Sequence, residues 1–424
     1  MARLKSLGYR CTHDAEVPRG QIAVINTCGF IGDAKEESIN TILQFAERKN
    51  EGKLQRLYVM GCLAERYRKE LEEEIAEVDR WFGKFDFLEL VEELKIQNLK
   101  FNIDTDTCCA PRVLTTPKHY AYLKISEGCN RMCSYCAIPL ITGRHTSVPL
   151  ETLVSEAEWM TLQGVKELNV IAQDLSSYGL DLYHEKRLPE LVNRLADIEG
   201  LRRIRLHYAY PTDFPYGILD VMRERENVCR YLDIALQHAS DHMLTLMRRH
   251  ITRAEQDRLL DMIRERVPGV CLRTTLLVGH PGETEDDFRE LCDWVREQQF
   301  DRLGAFAYSE EEGTFAAKHY RDDVPEEVKQ ARVEKIMAIQ QEISAKKMAE
   351  RVGTVMPVII DRKEGDYYIG RTEFDSPEVD CEVLIQANQD ERVKSERIAI
   401  GEIYDIMIDK AEEFDLYGSL WKRK

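Results

Sequence analysis

Cys129, Cys133 and Cys136 stand in CNRMCSYC, three thiols spaced four and three residues apart between Gly128 and Pro139. Three thiolates can hold three irons of a 4Fe-4S cluster, which usually takes four cysteines. The iron left over keeps an open position, as catalytic metal sites do. Such an iron can chelate the amino and carboxylate groups of a small molecule and pass it an electron. Two other readings stay open on spacing alone. Cysteines at i, i+4 and i+7 would share one face of a helix, although the flanking Gly and Pro favour a loop. A structural zinc ion would want a fourth ligand, for which His145 is the candidate.

A second set of thiols lies upstream. QIAVINTC (21–28) and RLYVMGC (56–62) are short apolar runs that read as buried strands, and each ends on a cysteine, Cys28 and Cys62. Charged, helix-favouring stretches follow both, so a parallel sheet in a doubly wound α/β domain is expected. Parallel strands end on one edge, where such sheets bind ligands, so Cys28 and Cys62 can converge on one site. Cys229, Cys271, Cys292 and Cys381 sit among apolar or helical residues and read as small buried hydrophobes. Cys108 and Cys109 receive no role.

The elements that must position these thiols fall into three segments: 1–115, 116–349 and 350–424. The middle one repeats a strand-then-helix pattern six times, with strand candidates at 119–126, 166–172, 202–208, 231–236, 270–279 and 301–308. A partial (β/α) barrel or a large open sheet is expected. Polar residues follow the strands: Gln173 and Asp174, His207, Gln237 and His238, His280, Ser309. In barrel enzymes chemistry sits at that end. The run PEEVKQARVEKIMAIQQEISAKKMAER reads as a charged amphipathic helix leading out of the barrel. The last segment reads as five short strands broken by Gly, Pro, Asn and Asp, a small closed barrel of the OB type.

Composition sets the outer limits. The chain has 424 residues, 43 % hydrophobic content, twelve cysteines and a formal net charge of −17. Without a signal-like start or a run of 18 apolar residues, a cytoplasmic protein with no membrane span is expected. Cysteine in that compartment points to metal or redox chemistry rather than to disulfides. The acidic balance disfavours nonspecific nucleic-acid binding and favours a basic protein partner.

YLKISEGCNRMCSYCAIPLITGRHTS closely resembles the signature of radical S-adenosylmethionine (SAM) methylthiotransferases, and the resemblance extends over nearly the whole chain. It implies an N-terminal methylthiotransferase domain, a radical SAM barrel and a C-terminal TRAM domain. By that resemblance Cys129, Cys133 and Cys136 hold the cluster that binds and reductively cleaves SAM. Tyr135 matches the family's aromatic position near the adenine. GVKE (Gly164 to Glu167) resembles the turn that meets the methionyl amine, and TTLLVGHPGE, with Gly279, the strand along the adenosine. Gln173, Gln237 and Arg273 complete the expected SAM contacts. The family carries a second 4Fe-4S cluster on three N-terminal cysteines, two of which Cys28 and Cys62 match. The third would fall before Met1, and Cys11 does not match it. A shortened N-terminus or a weakly held auxiliary cluster is therefore expected.

AIPLITGRHTS, NVIAQDLSSYGLDLY, RLHYAYPTDFP, LQHASDHMLTLMRRHI and IGRTEFDSPEVD look like the family branch that acts on an aspartate of a ribosomal protein rather than on tRNA. That branch implies methylthiolation at the aspartate β-carbon of the twelfth small-subunit ribosomal protein. SAM would serve both as methyl donor and as source of a 5′-deoxyadenosyl radical, with a flavodoxin-type electron donor. Charge agrees: residues 351–424 hold 11 Lys/Arg and 17 Asp/Glu, a net of −6 that Lys422 to Lys424 do not reverse. A tRNA-binding domain should present a basic surface instead. A tRNA adenosine methylthiotransferase and a noncatalytic iron–sulfur protein are the alternatives, the first needing a localised basic face, the second indifferent to SAM.

Overall fold

Parallel strands build most of the chain, and their carboxyl ends define where ligands can meet. The computed structural model describes residues 1–6, 9–14, 20–97, 112–386 and 398–421, so Cys108, Cys109 and Lys422 to Lys424 lie outside the described residues. Two compact units emerge. One comprises residues 1–115 with 136–144 and 311–314, and the other holds the remainder.

In the first unit β1 (Ile22–Thr27), β2 (Arg56–Gly61) and β3 (Arg80–Phe82) form a parallel sheet in that order. Alternation along β2 explains its two covers. Leu57 and Val59 face Ile42 and Ala46 of α2 (Gly32–Asn50) and Leu63, Ala64 and Leu71 of α3 (Cys62–Glu74). Tyr58 faces the other way, onto Leu90 and Leu94 of the helix Phe87–Gln97. A sheet with apolar residues on both faces needs helices on both, which is the doubly wound arrangement.

The second unit begins with β4 (Tyr120–Lys124) and a two-residue pair, β5 (Ser126–Glu127) with β6 (Thr146–Ser147). β4 then leads a six-stranded parallel sheet with β7 (Glu167–Ile171), β8 (Arg203–Ala209), β9 (Val228–Ile234), β10 (Cys271–Val278) and β11 (Arg302–Ala307), neighbours in chain order. Each strand is followed by a helix, the last being Glu326–Ala349, which packs along β11. Thr252 and Thr284 start two of these helices with capping boxes to Glu255 and Asp287. This is the partial (β/α)6 barrel expected from the repeated pattern.

The chain ends in a closed five-stranded barrel of β12 (Val355–Glu364), β13 (Tyr367–Arg371), β14 (Val383–Gln386), β15 (Ile403–Ala411) and β16 (Leu416–Leu420). Its core is aliphatic, with Val358, Ile360, Val383, Ile385, Ile406 and Ile408 fully buried. The connection after β13 reaches the amino-terminal halves of the parallel strands. Glu378 accepts from Tyr120 Oη at 2.8 Å, Asp380 from Tyr231 Oη at 2.8 Å, and Asp375 from Arg302 at 2.6 Å. Among the described residues no helix is long and apolar enough to cross a membrane.

Candidate functional site

Register brings Cys28 and Cys62 to one edge of the sheet. Thr27 of β1 pairs with Gly61 of β2, so the next residue on each strand is a cysteine at the same carboxyl edge. Cys28 is exposed and Cys62, the first residue of α3, is half-buried. Ser38 fixes the first loop by accepting from the Cys28 N–H and donating to its carbonyl, both at 3.0 Å. Two glycines permit the approach. A Cβ on Gly29 would lie 2.7 Å from Leu63 Cα, and one on Gly61, whose φ is +113°, would lie 2.5 Å from the Thr27 carbonyl oxygen. Arg66, one turn into α3, donates to the Gly29 carbonyl at 2.8 Å and pairs at 2.9 Å with buried Glu311, as does Lys35. Gly29→Ala is expected to force the two loops apart and destabilise this sheet edge by about 1–3 kcal/mol, the usual cost of overpacking. Faster hydrogen exchange of the β1 and β2 amides is the measurement. Cys11 precedes β1 with its thiol 3.8 Å from the Tyr9 carbonyl.

The loop after β5 carries the cysteine triplet, Cys129 and Cys133 within the second unit and Cys136 at the start of the segment counted with the first. The β5–β6 pair closes this loop at its base, and Asn130 Oδ1 accepts from the His145 N–H at 3.1 Å. Cys129 and Cys133 are buried, and Cys136, three residues on, is half-buried. The Ser134 N–H donates to the Met247 carbonyl, its carbonyl accepts from Ala316, and its hydroxyl meets His280 Nε2 at 2.9 Å. Burial pushes the Cys129 thiol up to about 11, with Asp174 adding to the rise against the Arg131 N–H. Such a thiol stays protonated until a cation displaces the proton, and a metal does so outright.

The environment of Cys133 was not legible in the sequence. Arg249, wholly buried, donates to Cys133 Sγ at 3.3 Å and to Tyr135 Oη at 3.4 Å. Tyr210 Oη lies 3.6 Å from the same sulfur, and the guanidinium groups of Arg131 and Arg249 lie 4.3 and 4.1 Å from its ring centroid. Among the described residues no three Cys, His, Asp or Glu side chains converge where one metal ion could sit. A 4Fe-4S cluster asks for a different geometry, with each thiolate on its own iron. The Arg249 Nε, buried without an acceptor, fits an anionic group beside Cys133.

The remaining candidates divide by strand polarity. Gln173 and Gln237 follow β7 and β9 at the carboxyl edge. Gln173 donates to Glu127 at 3.0 Å, and its carbonyl oxygen and Ser126 Oγ are buried without partners, as a bound polar ligand would require. Gln237 adopts φ +74° and bridges to Leu276. Tyr135 also packs edge-on against His280. Gly279 follows β10 with φ +73°, and its N–H donates to Glu283, but a Cβ there would run into the aliphatic stem of Lys329. Three of the expected SAM contacts lie away from the carboxyl edge. Gly164 and Glu167 form the turn that enters β7, at the amino edge. Glu167 is fully buried and bound to Arg371 and Arg205, leaving its carboxylate no room for SAM. Arg273, third in β10, pairs with Asp233 at 3.1 Å and Asp380 at 3.5 Å, well below the carboxyl edge.

Comparison with known proteins agrees with this layout. The chain matches the family models of the radical SAM superfamily over residues 123–295, the TRAM domain over 352–420 and the uncharacterized protein family UPF0004 over 1–83. It is 58 % identical over 421 residues to the ribosomal protein uS12 methylthiotransferase RimO of Phocaeicola vulgatus, covering 99 % of this chain and 94 % of that one. The protein of the same name from Cytophaga hutchinsonii is 48 % identical over 423 residues, 100 % of this chain and 94 % of that one. Among solved structures, the radical SAM methyltransferase TsrM of Kitasatospora setae shares the fold at a TM-score of 0.53 and 16 % identity, covering 85 % of this chain and 70 % of that one. Close identity along nearly its whole length places this chain in the RimO family of radical SAM methylthiotransferases.

Proposed function

We propose that this protein methylthiolates the β-carbon of an aspartate in ribosomal protein uS12, using SAM and iron–sulfur chemistry. The observation that carries the reading is identity of 48–58 % over nearly the whole chain to proteins named for that reaction. The residues support it: Cys129, Cys133 and Cys136 would hold one 4Fe-4S cluster, with Tyr135, Gln173, Gln237 and Gly279 around SAM. Cys28 and Cys62 would supply two of the three ligands of an auxiliary cluster. Bound together, cluster and SAM supply the low-potential electron and the hydrogen abstraction that an unactivated C–H bond demands. The chain's own part is to hold the ligand loop by the β5–β6 pair and the Ser134–His280 bond, and to bury Cys133 between Arg249 and Tyr210. A flavodoxin-type donor would supply the electron. Residues 1–115, 116–349 and 350–424 would act as methylthiotransferase, radical SAM and TRAM domains.

The TRAM domain would recruit a basic ribosomal protein through exposed acids. The string IGRTEFDSPEVD is not the recruiting surface, because its Arg371, Asp375 and Asp380 are spent on the parallel strands. Asp405 and Asp409, exposed on one side of β15, are better placed. An exposed ion pair contributes about 0.2–1 kcal/mol. Replacing both aspartates by Asn is expected to weaken uS12 binding roughly 2- to 30-fold at low salt, with little effect at high salt. Mass spectrometry of uS12 and tRNA, from cells with and without the enzyme, tests the substrate. Loss of methylthio from tRNA alone would overturn the assignment.

A further inference from the structure

Arg249 is a buried cation with no carboxylate partner among the described residues. The groups its N–H donors reach are Cys133 Sγ, Tyr135 Oη and the Ala235 carbonyl, and its Nε reaches nothing. An unpaired buried charge is costly, so a folded chain tolerates one only where a counter-charge is bound. Tyr210 offsets part of that cost through its ring, 4.1 Å from the guanidinium, yet it shares that ring with Arg131. The groups around Arg249 are therefore a thiol, two phenols and a carbonyl, none of them anionic by default. The missing anion belongs beside Cys133.

We propose that Arg249 is the counter-charge of the cluster held by the cysteine triplet and sets its reduction potential, an inference that rests on the cluster reading above. With three thiolates, a 4Fe-4S core is anionic, and taking up one electron from an external reductant makes it more so. A cation beside Cys133 favours the reduced state, so removing it lowers the potential. Arg131 is less suited to this role, because its Nε pairs with Asp174 at 2.9 Å and its charge is already balanced.

The test compares Arg249→Met and Arg249→Lys, side chains of similar length with and without charge. Both are made in the full chain carrying Cys28→Ala and Cys62→Ala, so that one cluster is titrated. After anaerobic reconstitution, iron content is measured and the reduced fraction is followed by EPR at a series of poised potentials. At a poise where the parent is half reduced, Arg249→Met is expected to lower the ratio of reduced to oxidised cluster about tenfold, equivalent to about 59 mV for one electron. Arg249→Lys should recover most of that shift. Iron lost in the Met variant and retained in the Lys variant also supports the proposal. An unchanged potential in Arg249→Met with full iron would overturn it, whether or not SAM affinity fell. Loss of iron in both variants would assign Arg249 to holding the loop and would equally overturn it. A parent without iron would overturn the cluster reading itself, and this proposal with it.

Discussion

Cys133→Ala is expected to reduce reductive cleavage of SAM to the background seen without protein, while the rest of the chain stays folded. Cys133 is the middle ligand of the proposed triplet and is enclosed by protein groups, with Arg249 at 3.3 Å and Tyr210 at 3.6 Å. Deleting its sulfur leaves two thiolates for a cluster that needs at least three, and leaves the Arg249 cation facing a void. The fold does not depend on that sulfur. The ligand loop is closed by β5 and β6 and tied through Ser134 to Met247, Ala316 and His280, none of which involves Cys133. The aliphatic core of the C-terminal barrel contains no residue of this loop. Anaerobically reconstituted variant and parent, given a strong reductant, are compared by chromatographic assay of 5′-deoxyadenosine, with circular dichroism as the folding control. Undiminished cleavage in a folded variant would remove the triplet from the chemistry.

Strand polarity separates what the sequence revealed from what it concealed. The short apolar runs ending in Cys28 and Cys62, the six strand–helix repeats and the five terminal strands were readable, because burial imposes regular patterns on parallel and closed sheets. The cysteine triplet was readable because its spacing is local. Arg249 was not, since 116 residues separate it from Cys133 and no local pattern marks a buried arginine. A two-residue pair such as β5–β6 is likewise too short to show periodicity. The positions of Gly164 and Glu167 were hidden for a different reason. The motif GVKE does not itself show which end of its strand it occupies. A turn that precedes a parallel strand enters at the amino edge, away from where the ligands of such sheets bind. Arg273, five residues before the end of β10, fails by the same geometry.

That geometry makes Glu167→Gln decisive between a cofactor residue and a structural one. Glu167 is fully buried at the start of β7, where its carboxylate meets both terminal nitrogens of Arg371 at 3.0 and 3.1 Å and Arg205 Nε at 3.3 Å. Arg371, on β13 of the C-terminal barrel, also binds Asp361 at 2.7 Å, and Asp361 accepts from His119 at 2.8 Å. One carboxylate thus balances cations from two elements that join the parallel sheet to the small barrel. Neutralising it at constant shape leaves buried arginines underbalanced, and breaking a buried pair costs about 3–5 kcal/mol. Burial alone would raise the Glu167 carboxyl, but Arg371, Arg205 and Arg203 pull it down to about 2, against an ordinary 4.5. The folded value lies below the unfolded one, so its contribution is complete above pH 4.5 and is lost as pH falls from 4.5 through 2. Denaturant unfolding at neutral pH should therefore show a large loss in Glu167→Gln, with the difference from the parent narrowing across that acidic window. Hydrogen exchange should accelerate first in β7 and β13. Folded variant at low temperature should keep the parent's KM for SAM, because the substituted group lies at the amino edge of the sheet. A raised KM with unchanged stability would return Glu167 to the cofactor site.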